Sequence, residues 1–357
     1  MLRFSKQFAL FTLIFLALNL VSKKLIPNNS TLPLLAYKLK DIETHKELNT
    51  FFFGSSILYR QIEPALFDSI SCGNSASYNV GIPAVFNPQL YDIFEDLLDQ
   101  NKIPSGSKVF LELQNIQKIG SNNLYTPRSL YKLDLSTVIY VSRAALKSDE
   151  PFVGKLKTIK DYAISYLYKS FSLHNLHERP KKYIKQHPLR KLIKAQHSKK
   201  KNDNKVPDYI YKQKGFEDLD SALKNEKMLK LRKNKFLKKY KNKKFVSTEF
   251  ERSYFIVSDD RAIPALIDKI DDLTLKAATQ DIELIILLPS YAASLNSGLK
   301  GSFKSLNNKK ISLFDYENNK EFYLVKNRFD SNHLNKSGAK LFTHKLAKAY
   351  NELLACD

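Results

Sequence analysis

"IELIILLPS", residues 282–290, carries an unbroken apolar run from Leu284 to Leu288. A strand with one wet face alternates apolar and polar side chains. An unbroken run is the pattern of a strand buried on both faces, and such strands belong to parallel sheets. Upstream, "IPALIDKIDDLTLKAATQ" (263–280) spaces Ile263, Leu266, Ile267, Ile270 and Leu273 along one helical face, with Pro264 suited to a first turn. The same pairing of strand and helix recurs earlier. "FFFGSS" (51–56), "SYNVGIPA" (77–84) and "KVFLELQ" (108–114) read as strands, and "NPQLYDIFEDLLDQNK" (87–102) reads as a helix with Leu90, Ile93, Phe94, Leu97 and Leu98 on one face. A last helix bears Leu341, Leu346, Ala349, Tyr350 and Leu353. This alternation predicts an α/β domain: a parallel sheet covered by helices on both sides, with its active site at the carboxyl ends of the strands.

Charge divides the chain. Its 58 Lys and Arg against 36 Asp and Glu leave a net +22, which favours anionic partners. Between Glu178 and Lys244 stand 24 basic and 7 acidic residues, so these positions hold most of the excess. They include "HSKKKNDNK" (197–205) and "KLRKNKFLKKYKNKK" (230–244), while the flanks are close to balanced. We read 146–250 as a Lys-rich, partly helical insertion between a first domain part at 27–145 and a second at 251–357, with residues near 178–244 standing outside the compact core. Tyr183, Tyr209, Tyr211 and Tyr240 lie among its lysines, as stacking on nucleic acid would require. No base-reading motif accompanies them, and nucleic acid is not the expected partner.

Residues 1–26 read as a targeting segment. Arg3 and Lys6 precede an apolar run from Phe8 to Val21, and Lys23 and Lys24 close it. The run is shorter than the ~20 residues of a usual spanning helix. A signal peptide fits that length, but "LNLVSKKL" holds no small-x-small cleavage pattern. An uncleaved membrane anchor with snorkelling lysines is the preferred reading. Either route places the protein outside the cytoplasm, in the periplasm or at the cell surface, and the anchor route holds it to the membrane by its first helix. Cys72 and Cys356 are too few for a disulfide framework and are read as unpaired.

The abrupt end of "FFFGSS" on two hydroxyls suits a nucleophile at a strand's carboxyl end, although glycine and serine also end ordinary strands. A serine needs a base, and the base needs an orienting group. Of the seven histidines, His174, His177, His187 and His197 lie in or beside the basic stretch, His45 precedes the core and His344 lies within the last helix. His333 differs. It stands in "RFDSNHLNKSGAKLF" (328–342), three residues after Asp330, where a tight turn can bring the carboxylate to one imidazole nitrogen.

"GSS" after an apolar strand, "NVG" about 25 residues on and "DSNHLNKSGA" near the end resemble the SGNH (GDSL-like) hydrolases, over residues 48–115 and 255–355. The phrase "FDYENNKEFYLVKNRFDSNHLNKSGA" is similar to exported bacterial members linked to surface polysaccharide modification. The resemblance implies a three-layer α/β/α, flavodoxin-like sheet. It makes Ser56 the nucleophile, with Ser55 where the family usually has Asp, His333 the base and Asp330 the orienting acid. Gly81 matches the glycine whose backbone N–H helps hold the oxyanion. One block departs: in place of Gly-x-Asn-Asp the chain reads "FLELQNIQ", where Gln114 and Asn115 are the amides taken as candidates for a second oxyanion donor.

The function implied is an exported serine esterase or O-acyltransferase acting on acyl esters, chiefly acetyl, of a cell-surface carbohydrate, with neither metal nor organic cofactor. The alternative is a catalytically silent scaffold that binds an acidic glycan or a membrane surface through the basic stretch.

Overall fold

The structure, a computed structural model, describes residues 2–25, 32–114, 130–148, 151–170, 213–223, 227–243, 262–290, 299–314 and 318–355. Five strands, β1 (Thr50–Phe53), β2 (Ser77–Asn79), β3 (Lys108–Glu112), β4 (Glu283–Leu288) and β5 (Lys310–Ser312), form one sheet in the order β2-β1-β3-β4-β5. Every neighbouring pair is parallel. This order, with β1 and β3 side by side at its centre, is the doubly wound arrangement of flavodoxin-like sheets. The apolar runs of the sequence are its interior: β1 is wholly buried, as are β3 and β4 beyond their first residues. β5 has three residues at the sheet edge, too short for its periodicity to stand out from the surrounding loop.

Successive strand residues point to opposite faces, and the aromatic residues show what covers each. Phe52 and Phe110 meet Phe67 of helix α4 (Pro64–Ile70), and Phe110 meets Tyr350 of the last helix, α12 (Lys336–Leu353). Phe53, on the other face, meets Phe94 of α5 (Gln89–Asp99). Helix α10 (Pro264–Ala278) packs on α5 and β4, and a short helix α11 (Leu299–Ser305) packs on α10. Helix α2 (Pro33–Thr44) lies over Phe51 and Phe53, where Leu39 and Ile42 help line an apolar cavity of about 10 Å³, too small for any substrate. Helices thus cover both faces of the sheet, as expected.

The N-terminal helix α1 (Leu2–Leu25) exposes Phe4, Phe8, Phe11 and Ile14. No described helix is long and apolar enough to cross a membrane.

Two expectations need correction. Cys72 is not free but disulfide-bonded; the chain's other cysteine, Cys356, lies outside the described residues. The end of α12 is tied to the Cys72 segment: Asn351 accepts from Cys72 N–H at 2.9 Å and donates to Ile70 O at 3.0 Å. Sequence distance concealed this proximity.

The basic stretch also behaves otherwise than expected. Residues 178–212 and 244–250 lie outside the described residues, but 213–223 and 227–243 pack onto the domain. Phe216, Leu219, Leu229, Phe236 and Tyr240 are buried, while Lys227, Lys230, Lys235 and Lys238 point to solvent. Lys38 of α2, itself fully buried, donates at 2.8 Å to Asn79 O, Gly81 O and Gly215 O. It thereby joins the stretch to the end of β2. A charge count registers the exposed lysines and overlooks the apolar residues between them.

Candidate active site

β1 ends at Phe53, which pairs with Leu111. Gly54 and Ser55 turn the chain into α3 (Ser56–Gln61), whose first residue is Ser56. Gly54 is required by crowding: a Cβ there would stand 2.3 Å from Glu112 Oε2 and 2.7 Å from Leu58 Cδ2. Ser55 caps α3, its Oγ accepting from Ile57 N–H at 3.1 Å. This turn leaves Ser56 half-buried at the carboxyl end of the sheet.

The Asp-x-x-His turn before α12 meets it there. Asp330 Oδ1 accepts from the backbone N–H of Asn332 at 2.8 Å and of His333 at 2.9 Å, so the carboxylate folds the turn around itself. Its Oδ1 also lies 3.0 Å from His333 Nδ1. The other imidazole nitrogen, Nε2, is 2.9 Å from Ser56 Oγ. A hydroxyl, an imidazole and a carboxylate therefore stand in line, the first and second 277 positions apart in sequence. The chain matches no family model and no curated protein.

Burial by itself pushes the Asp330 carboxyl up. The hydrogen bond and charge of His333, the Asn332 N–H and the Arg232 guanidinium outweigh it and hold the group well below the usual carboxylate range. Arg328 staples the turn from beneath. It is fully buried, and it donates to Phe322 O at 3.1 Å, Asp330 O at 3.2 Å and Ser331 O at 2.8 Å.

Sequence reading missed two contributors. Arg232 belongs to α9 (Lys227–Lys239) of the basic stretch; its Nη2 donates to Asp330 Oδ2 and lies 3.5 Å from His333 Nδ1. Nothing near Arg232 in sequence signals this, since its target lies 98 positions away. The second is Glu112, fully buried at the end of β3. It accepts from Ser55 N–H, from Ser55 Oγ at 2.9 Å and from Gln114 Nε2 at 3.0 Å. Here a signal did exist: an acid inside the apolar run "KVFLELQ" needs buried partners.

The proposed oxyanion donors fare differently. The Gly81 N–H donates to Asn79 Oδ1 at 2.9 Å and is thereby engaged within the protein. Its glycine is explained by packing, because a Cβ would stand 2.6 Å from the Tyr59 backbone N. Gln114 is buried in the Glu112 network and accepts from Asn87 N–H at 2.9 Å; no hydrogen bond joins it to Ser56. Asn115 lies outside the described residues. The Ser56 backbone N–H, beside the hydroxyl, has no partner among the described residues.

Proposed function

We propose that the chain is an SGNH-type serine esterase or O-acyltransferase that acts on acyl esters of a cell-surface carbohydrate. The observation that carries this reading is the line Ser56 Oγ, His333 Nε2, His333 Nδ1, Asp330 Oδ1, with both gaps at hydrogen-bond length. As Ser56 Oγ attacks the acyl carbonyl, His333 Nε2 takes its proton, and Asp330 holds the ring and stabilises the imidazolium. The developing oxyanion faces the Ser56 N–H. Collapse of the intermediate breaks the ester C–O bond, and His333 returns the proton to the departing sugar oxygen. The acyl group now sits on Ser56. Water then attacks it in hydrolysis, or a second sugar hydroxyl in transfer; His333 removes the attacking proton and gives it back to Ser56. No step needs a metal or organic cofactor.

Action outside the cytoplasm is supported by the disulfide at Cys72, a bond of oxidising compartments, and by the apolar helix α1 between basic residues. One observation favours the second reading, a silent glycan-binding scaffold: the Gly81 N–H is engaged by Asn79. A fluorophosphonate separates the two. Covalent labelling that maps to Ser56 and disappears in Ser56→Ala is the expected result; an unlabelled wild type discards the enzyme reading.

A further inference from the structure

Helix α9 is where the basic stretch and the candidate active site meet. Its 13 residues hold Lys227, Lys230, Arg232, Lys233, Lys235, Lys238 and Lys239 and no acid. It is a fixed surface, because Leu229 packs with Phe329, Leu219 and Ala222, while Phe236 packs against the tilted Tyr240 ring beside Val325. Phe329 and Val325 belong to the segment that carries Asp330 and His333. Arg232 reaches the triad acid directly.

The cations of α9 are disposed unlike those beside the sheet. Helix α5 carries acids only and α10 carries both signs, and Lys269 and Lys276 of α10 bridge to Glu95 and Asp99 of α5. On α9, Lys233 is neutralised by Asp220 and Arg232 by Asp330. Lys227, Lys230, Lys235 and Lys238 are exposed and form no ion pair among the described residues. Lys235, one turn beyond Arg232, lies on the same side of the helix. Rigidly held cations of one sign beside a reactive hydroxyl raise the local concentration of anionic substrate.

We propose that the esters processed at Ser56 are carried on an anionic glycan, whose acidic groups lie along α9 with Lys230, Lys235 and Lys238 as their contacts. A neutral glycan gains nothing from this surface. The substrate class rests on the proposed function, whereas the anion site itself does not.

The test uses the full chain, with polygalacturonate as the anionic glycan and dextran as its neutral counterpart. Polygalacturonate slows fluorophosphonate labelling of Ser56 at least about tenfold at low ionic strength, and high salt relieves the protection. Dextran does not protect. Lys230→Glu, Lys235→Glu and Lys238→Glu combined abolish protection, and the milder Lys→Gln set weakens it. Reversing Lys147, Lys157 and Lys160, on the helices Leu135–Lys147 and Phe152–Ser170, leaves protection intact. With O-acetylated forms of both polymers, the wild type has the higher kcat/KM on polygalacturonate, and the α9 reversal removes that preference. Equal protection by dextran, or protection unaffected by the α9 reversal, overturns the proposal, as does protection by single-stranded DNA with none by polygalacturonate. Should Ser56 resist the probe, the enzyme reading fails separately. Fluorescent polygalacturonate binding, measured by anisotropy on wild type and α9 variant, still decides whether α9 is an anion site.

Discussion

Ser55 and Ser56 are adjacent hydroxyls at the end of one strand, each served by a buried acid, yet their surroundings differ in kind. Ser55 donates straight to Glu112 at 2.9 Å and caps a helix with the same oxygen. Its proton has a fixed acceptor, and its oxygen is committed to the backbone. Ser56 faces an imidazole, and the acid stands behind that ring. A hydroxyl bonded directly to a carboxylate is structural, since the carboxylate is a weak base and the contact closes the site. An intervening imidazole lets the proton move both ways during turnover. The lesson is that proximity of serine to acid does not define a nucleophile; the titratable ring between them does.

The comparison breaks first on turnover. Ser56→Ala is expected to lower kcat on an activated acetyl ester by up to ~10⁶-fold, the scale for losing a nucleophile, with little change in thermal stability. Ser55→Ala should do the opposite, lowering Tm while keeping measurable turnover. Equal turnover by wild type and Ser56→Ala would leave both serines as structural. Next in size is Asp330→Asn, with an expected loss of about 10⁴-fold in kcat, because the amide favours the wrong imidazole tautomer. Asp330 also contributes stability because the fold holds its pKa below the ordinary value: the contribution is present above the ordinary aspartate range and is lost as pH falls below it. Acid titration of wild type against Asp330→Asn, followed by urea unfolding, checks that sign.

Glu112→Ala leaves three buried donors unsatisfied and should cost about 3 kcal/mol, measurable as a lower urea midpoint. Full stability in that variant would mean that Ser55 and Gln114 find other partners. A third buried acid calibrates the pair. Asp92 accepts from Thr137 Oγ1 at 2.7 Å and faces Lys269 at 3.6 Å; burial, with Asp134 and Glu95 nearby, raises it to about 7 despite that lysine and hydrogen bond. Its charged form is disfavoured in the fold, so stability should fall as pH rises from about 4 toward 7. Asp92→Asn should flatten that slope, as unfolding at pH 5 and pH 8 would show. The smallest effect expected is that of Arg232→Ala: about tenfold in kcat, since one exposed charge-assisted bond to Asp330 is removed while His333 keeps its own. Arg232→Lys should recover part of the loss, and an unchanged kcat in Arg232→Ala would confine the residue to surface pairing.

Several features were legible along the chain because their physics is local. Leu284 to Leu288 declared a strand buried on both faces, and the helical spacing from Ile263 to Leu273 declared its covering helix. The Asp330 turn depends on three consecutive residues folding about one carboxylate, which spacing alone can express. Other features depended on packing between distant segments. The strand order, the disulfide at Cys72 and the reach of Arg232 to Asp330 have no periodic or compositional trace, and an acid in the run "KVFLELQ" told only that Glu112 needs buried partners, not that Ser55 is one of them. Gly81 marks the limit most clearly. Sequence showed a glycine after a strand; only the folded chain decided that Tyr59 crowds its Cα and that Asn79 takes its N–H. Residue type and spacing determine what a backbone prefers and what a side chain is able to do. Which partner it meets is decided by close packing in three dimensions, where one residue's donor is another's acceptor.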